Sequence, residues 1–180
     1  MDATNAKPLV NIDEVELQPR PPQFAAKGDA AERFDARMGM VAPLIGARLL
    51  GYNITAVPPG KRAFPAHNHR INEEMFFILE GRGELRVGAQ SWPVRAGDVI
   101  ACPPGGPETA HQLINTGDAE LKYLAVSTKL SPEICEYPDS GKFGVLAEYP
   151  PGPDGKPQGF RYVGKPELAV GYWEDEGAPP

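Results

Sequence analysis

His67-Asn68-His69-Arg70-Ile71-Asn72-Glu73-Glu74-Met75-Phe76-Phe77-Ile78-Leu79-Glu80-Gly81 is the stretch on which the reading of this chain turns. From Met75 to Leu79 every position is apolar, so this piece reads as a strand that must be covered on both faces. Ahead of it stand two of the chain's three histidines, one residue apart. Residues i and i+2 of an extended segment project to the same face, so both imidazoles can reach one ion. Arg70-Ile71-Asn72 makes a turn into the strand, after which a carboxylate can swing back beside them. Neighbouring strand residues face opposite ways, so only one of Glu73 and Glu74 can do this. Alternation alone does not say which. Phe76 and Ile78 share the face of Glu74 and read as core. Met75, Phe77 and Leu79 form the other row, an aggregation hazard unless an arm, a tail or a second subunit covers it.

Working outward, residues 49–57, 74–80, 83–87, 98–102, 111–115 and 121–128 read as short strands. Turn formers such as Pro58-Pro59-Gly60, Gly81-Arg82-Gly83, Ala96-Gly97-Asp98 and Thr116-Gly117-Asp118 separate them. His111, the third histidine, opens one of these strands behind a Pro/Gly-dense turn, as a ligand delivered from a distant strand requires. Closely spaced strands of this kind predict an all-β jelly roll. Residues 1–45 read as an N-terminal arm with a short helix over residues 30–38, residues 46–128 as the barrel, and residues 129–180 as an acidic, Pro/Gly-rich C-terminal tail. Within that tail, residues 168–173 are expected to return to the barrel.

The 180 residues suit one ordinary domain, and 21 Pro with 20 Gly disfavour a helical bundle. A net charge of −6 argues against nucleic acid as a partner, because the electrostatic attraction that drives such binding is missing. No signal peptide and no apolar run of membrane-spanning length is seen, which predicts a cytoplasmic protein with no membrane partner. Cys102 and Cys135 read as buried free thiols.

Gly60, His67-Asn68-His69, Glu74 and Gly81 resemble the first of the two cupin motifs, and Gly97, Pro103, Gly105, His111 and Asn115 resemble the second. In that pattern six residues part the glutamate from the closing glycine, which selects Glu74. This sequence departs from the pattern in two loops: six residues rather than five separate Gly60 from His67, and five rather than two separate Gly105 from His111. Loops tolerate such insertions, so the ligand set is kept. The resemblance is close over residues 46–128, and the stretches at residues 136–142 and 171–174 also look like pieces of compact bacterial single-domain cupins, loosely called sugar-phosphate-isomerase-like.

What the resemblance implies is a double-stranded β-helix holding one divalent transition metal ion (Mn, Fe, Ni, Co or Zn) with His67, His69, Glu74 and His111. The expected function is that of a small-molecule metalloenzyme, an isomerase or epimerase of a sugar derivative or a dioxygenase. The competing reading is a non-catalytic module that senses or binds a small ligand through the metal; a purely structural metal ranks last, since structural sites are usually closed and cysteine-rich. Lys61, Arg62 and Arg70 flank the histidine pair, either as a solvated rim or as cations for a phosphosugar. With every histidine assigned as a ligand, an acid or base must be another residue type; Tyr52, Tyr123 and Glu80 are candidates, and the catalytic residue stays unknown. A homodimer is expected to cover Met75, Phe77 and Leu79, with the arms contributing.

Overall fold

The structure, a computed structural model, describes residues 7–177. In chain order its strands are β1 (Gln18–Pro19), β2 (Arg37–Met40), β3 (Leu50–Val57), β4 (Asn68–His69), β5 (Glu74–Glu80), β6 (Arg82–Val87), β7 (Gln90–Arg95), β8 (Val99–Cys102), β9 (His111–Ile114), β10 (Leu121–Thr128), β11 (Glu133–Tyr137), β12 (Lys142–Tyr149) and β13 (Gln158–Gly164). Among the described residues no helix is long and apolar enough to cross a membrane.

Three sheets form, in the orders β1-β2-β3-β10-β5-β8, β13-β12-β11-β4 and β7-β6-β9. His67 and His111 exchange backbone hydrogen bonds (3.2 and 2.8 Å), which joins the β4 segment to β9 and lets the two smaller sheets run on as one layer. Between that layer and the six-stranded sheet lies the core: Val57, Phe76, Ile78, Ile100, Leu121, Tyr123 and Ala125 from one side meet Leu85, Val94 and Leu113 from the other. This is the double-stranded β-helix. Strand β10 shows why it forms, since Leu121, Tyr123 and Ala125 alternate inward and each is buried. The closing glycine of the first motif, Gly81, has φ +81°, and a Cβ there would run into the backbone carbonyl of Glu120.

The outer face of the six-stranded sheet is covered by the arm. Val15, Val41 and Ile54 are buried there, with Val10, Ile12, Leu17, Tyr52, Leu79 and Leu124 packed on them. Leu79 is thus covered within the chain, and Met75 and Phe77 are half-buried.

Four expectations need correction. The helix over residues 30–38 shrinks to α1 (Asp29–Arg33), because Phe34 and Asp35 pair instead with Arg62 and Ala36 enters the core. Strand β7 was not expected because Pro93 sits inside it; β7 is an edge strand, where a missing N–H costs no ladder bond. The tail is not merely Pro/Gly linker, since β11, β12 and β13 form a meander that attaches to β4. Finally, Leu168, Val170, Tyr172 and Trp173 lie exposed, and β11 is the part of the tail that reaches the barrel.

Candidate metal centre

His67 and His111 are directly opposed across antiparallel backbone, so their side chains share one face, and His69 joins them two residues on. Glu74 begins β5 and faces the same space, while Glu73 is exposed on the opposite side. One ligating atom from each of His67, His69, Glu74 and His111 lies within 4.8 Å of all the others. The four residues singled out from sequence are therefore brought together.

The histidines share a common orientation. Their Nε2 atoms converge on one carboxylate oxygen, Glu74 Oε2, at 3.1 Å from His111, 3.3 Å from His69 and 3.8 Å from His67. Each Nδ1 faces away, toward Pro65 O from His67 (2.9 Å), Thr109 O from His111 (3.3 Å) and Glu133 Oε2 from His69 (3.5 Å). The side chain of His111 is 3% exposed, whereas His67, His69 and Glu74 keep 14–19% of their surface open.

Burial works to raise the Glu74 pKa, but the surrounding imidazoles of His111, His67 and His69 outweigh it and hold the carboxyl well below the usual range. Burial pushes His111 down. For His69 burial acts in the same direction, yet Glu74 and then Glu133 outweigh it and the net shift is upward.

A cation fits this arrangement. An acceptor at each Nδ1 claims the proton of a neutral imidazole, which leaves Nε2 as a lone pair. Three lone pairs then face a carboxylate oxygen, which is unfavourable unless something positive lies between them. Both ring nitrogens of His69 are buried without a hydrogen-bond partner, a condition that costs about 1–3 kcal/mol per group. Three imidazoles with one carboxylate form a mixed N/O donor set suited to a transition metal.

Two of the three flanking cations are engaged elsewhere. Lys61 Nζ donates to Ala31 O and Glu32 O, and Arg70 pairs with Glu136 at 2.8 Å. The small cavity beside His67 and His111, lined by Phe64, Phe76, Leu113 and Tyr123, measures about 10 Å³, room for one water at most. Of the candidate acids and bases, Tyr123 borders that cavity, whereas Glu80 pairs with Lys122 on the exterior and Tyr52 packs under the arm.

Two residues near the centre were not anticipated. Glu133 approaches His69 from behind, and the ring of Tyr137 stacks on His67 at 6.2 Å. Both belong to β11. The run Glu133-Ile134-Cys135-Glu136-Tyr137, bounded by Ser131-Pro132 and Pro138-Asp139, carries a weak strand signal, but nothing in it names β4 as its partner.

Residues 53–127 match the cupin domain family model. An uncharacterised protein of Methanocaldococcus jannaschii is 38% identical over 71 residues, and an oxalate-binding protein of Thermotoga maritima is 34% identical over 70. Each alignment covers 39% of this chain and 54% of the relative, so the chain spans about half the length of the curated relatives it matches. Among solved structures, a cupin-superfamily sugar phosphate isomerase from Silicibacter pomeroyi superposes with a TM-score of 0.70 over 90% of this chain and 95% of its own. At 20% identity that likeness speaks to the fold alone. Residues 53–127 thus match the cupin domain family, and the described residues share the double-stranded β-helix fold of cupin-superfamily structures.

Proposed function

We propose that the chain holds one divalent transition metal ion (manganese, iron, nickel, cobalt or zinc) on His67, His69, Glu74 and His111, and that it is a small-molecule metalloenzyme. The observation that carries this reading is the convergence of three Nε2 atoms on Glu74 Oε2 while every Nδ1 faces an acceptor. Four protein ligands leave positions free on an ion that prefers five or six. When bound, such an ion supplies a Lewis acid for a carbonyl or hydroxyl, or a water of lowered pKa.

The protein's own groups do the rest. Phe64 and Phe76 keep bulk water from the inner side. Burial pushes the Tyr123 hydroxyl upward, so it keeps its proton at the wall of the small cavity. A sugar derivative does not fit the inner cavity and must approach from the side where His67, His69 and Glu74 are open.

The small cavity also favours a second reading, a non-catalytic module that captures a small oxygen ligand such as a dicarboxylate, in keeping with the name of the Thermotoga maritima relative. Two unpaired thiols accord with a reducing cytoplasm. A second copy covering Met75 and Phe77 would complete a homodimer, and sedimentation as a monomer at micromolar concentration would end that proposal.

The deciding experiment supplies the metal-loaded full chain with sugar derivatives without oxygen, and its ferrous form with candidate substrates under oxygen. Metal-dependent interconversion supports the isomerase, and oxygen uptake the dioxygenase. Saturable oxalate binding with no turnover in either assay overturns the enzyme in favour of the binding module.

A further inference from the structure

Glu133 lies outside the residues matched by the cupin model, yet it is among the most constrained carboxylates of the chain. It is 7% exposed. Its Oε1 accepts the backbone N–H of Ile134 (2.8 Å), Arg70 (3.2 Å) and Ile71 (3.3 Å), and its Oε2 accepts the N–H of Asn72 (2.9 Å) together with the Asn72 side-chain amide. Asn72 in turn accepts from the Thr128 hydroxyl (2.8 Å) and from Leu130 N–H (2.7 Å). One side chain from the C-terminal sheet therefore pins the turn that separates two ligand positions, His69 and Glu74.

The same Oε2 stands 3.5 Å from Nδ1 of His69. His67 and His111 each aim Nδ1 at the carbonyl two residues earlier, Pro65 O and Thr109 O. His69 has no such recourse, because the equivalent carbonyl, that of His67, already accepts the N–H of His111 at 2.8 Å. Its Nδ1 is buried and has no other hydrogen-bond partner. A ligand imidazole needs an acceptor at its outer nitrogen to fix tautomer and ring angle, and a carboxylate there also makes it a stronger donor to the metal.

We infer that Glu133 is a positioning residue for the metal centre: it accepts a hydrogen bond from Nδ1–H of His69 and so turns the Nε2 lone pair of that ring toward Glu74 and the ion. A small tilt of the ring closes 3.5 Å to hydrogen-bonding distance. The role in metal binding rests on the metal reading above; the tautomer does not. On this account the centre is completed by a strand outside the family match, and the meander is part of the site.

The test uses the full chain, metal-free and zinc-loaded, in mildly alkaline buffer where neutral imidazole dominates. Nitrogen NMR of the imidazoles should place the proton of wild-type His69 on Nδ1. In Glu133→Gln the His69 signals should change while those of His67 stay put, and zinc affinity, read by competition with a chelator, should fall about 10- to 100-fold. Glu136→Gln, on the same strand but bonded to Asn68 and Arg70, should leave both readouts unchanged, which separates positioning from general weakening of β11. Wild-type His69 protonated on Nε2 would overturn the proposal without recourse to any variant, as would unchanged tautomer and zinc affinity in Glu133→Gln. A wild type with the Nδ1–H tautomer that binds no zinc would uphold the Glu133–His69 bond and sink the metal reading instead.

Discussion

The barrel and the C-terminal meander are built from the same antiparallel pairing but are held together differently. In the barrel, inward rows from two layers bury one another, and Val57, Ile78 and Leu121 are fully enclosed. In the meander, six of the seven residues of β13 are exposed and β12 is only partly covered. Its attachment is local and polar: the β4–β11 ladder, the Glu133 cluster and the Arg86–Asp139 pair. Burial makes the barrel a fold in its own right, whereas specific hydrogen bonds make the meander an accessory. The candidate metal centre lies where the two meet.

The largest expected effect is in the barrel. Ile78→Ala should cost about 2–5 kcal/mol in chemical denaturation, as a fully enclosed aliphatic side chain does. Phe160→Ala, at a half-exposed side chain of β13, should cost under about 1 kcal/mol. Equal losses would show that the meander is as much core as the barrel.

Next comes the metal itself. If the ion is present at about one hundred times its Kd, chelation should remove about 2.7 kcal/mol of stability. The accompanying rise in hydrogen exchange should concentrate in residues 67–72 and 133–137; uniform loosening would place the centre away from the seam.

A contrast within one strand follows. Glu74→Gln should lower zinc affinity by more than the about 10- to 100-fold typical of an outer-sphere residue, and Glu73→Gln, which faces out, should leave it unchanged. The reverse result would mean that the other carboxylate is the ligand.

The smallest effect concerns the bidentate pair of Asp139 with Arg86, at 2.7 and 2.8 Å. Asp139→Asn should cost about 0.2–1 kcal/mol, since both side chains are more than a third exposed. The Arg86 guanidinium holds the Asp139 carboxyl below its ordinary value. A depressed folded pKa gives stability that is present above the unfolded value and lost as pH falls through the folded one. Wild type and variant should therefore converge in acid; a difference that grows as pH falls would contradict the assignment.

The barrel and its four candidate ligands were legible because they depend on short-range rules. His67 and His69 share a face by strand periodicity, the apolar run after Glu74 marks a strand covered on both sides, and the motif spacing chooses Glu74 over Glu73. What sequence did not disclose depends on contacts made far along the chain. Glu133 sits some sixty positions from His69, and no local pattern joins them. Strand β7 hid behind Pro93, whose penalty vanishes only because the strand is at an edge. The helix expected over residues 30–38 gave way after Arg33 because pairing with Arg62 and burial of Ala36 outweigh local propensity.

The central claim is that His67, His69, Glu74 and His111 form a metal centre. It is tested most directly by elemental analysis of the full chain purified without a histidine tag, beside its His111→Ala variant. The account predicts a single divalent transition metal ion per wild-type chain and its loss from the variant, with a lowered melting temperature. A wild type free of metal and unable to take it up, or equal metal content and melting temperature in the two proteins, would contradict it.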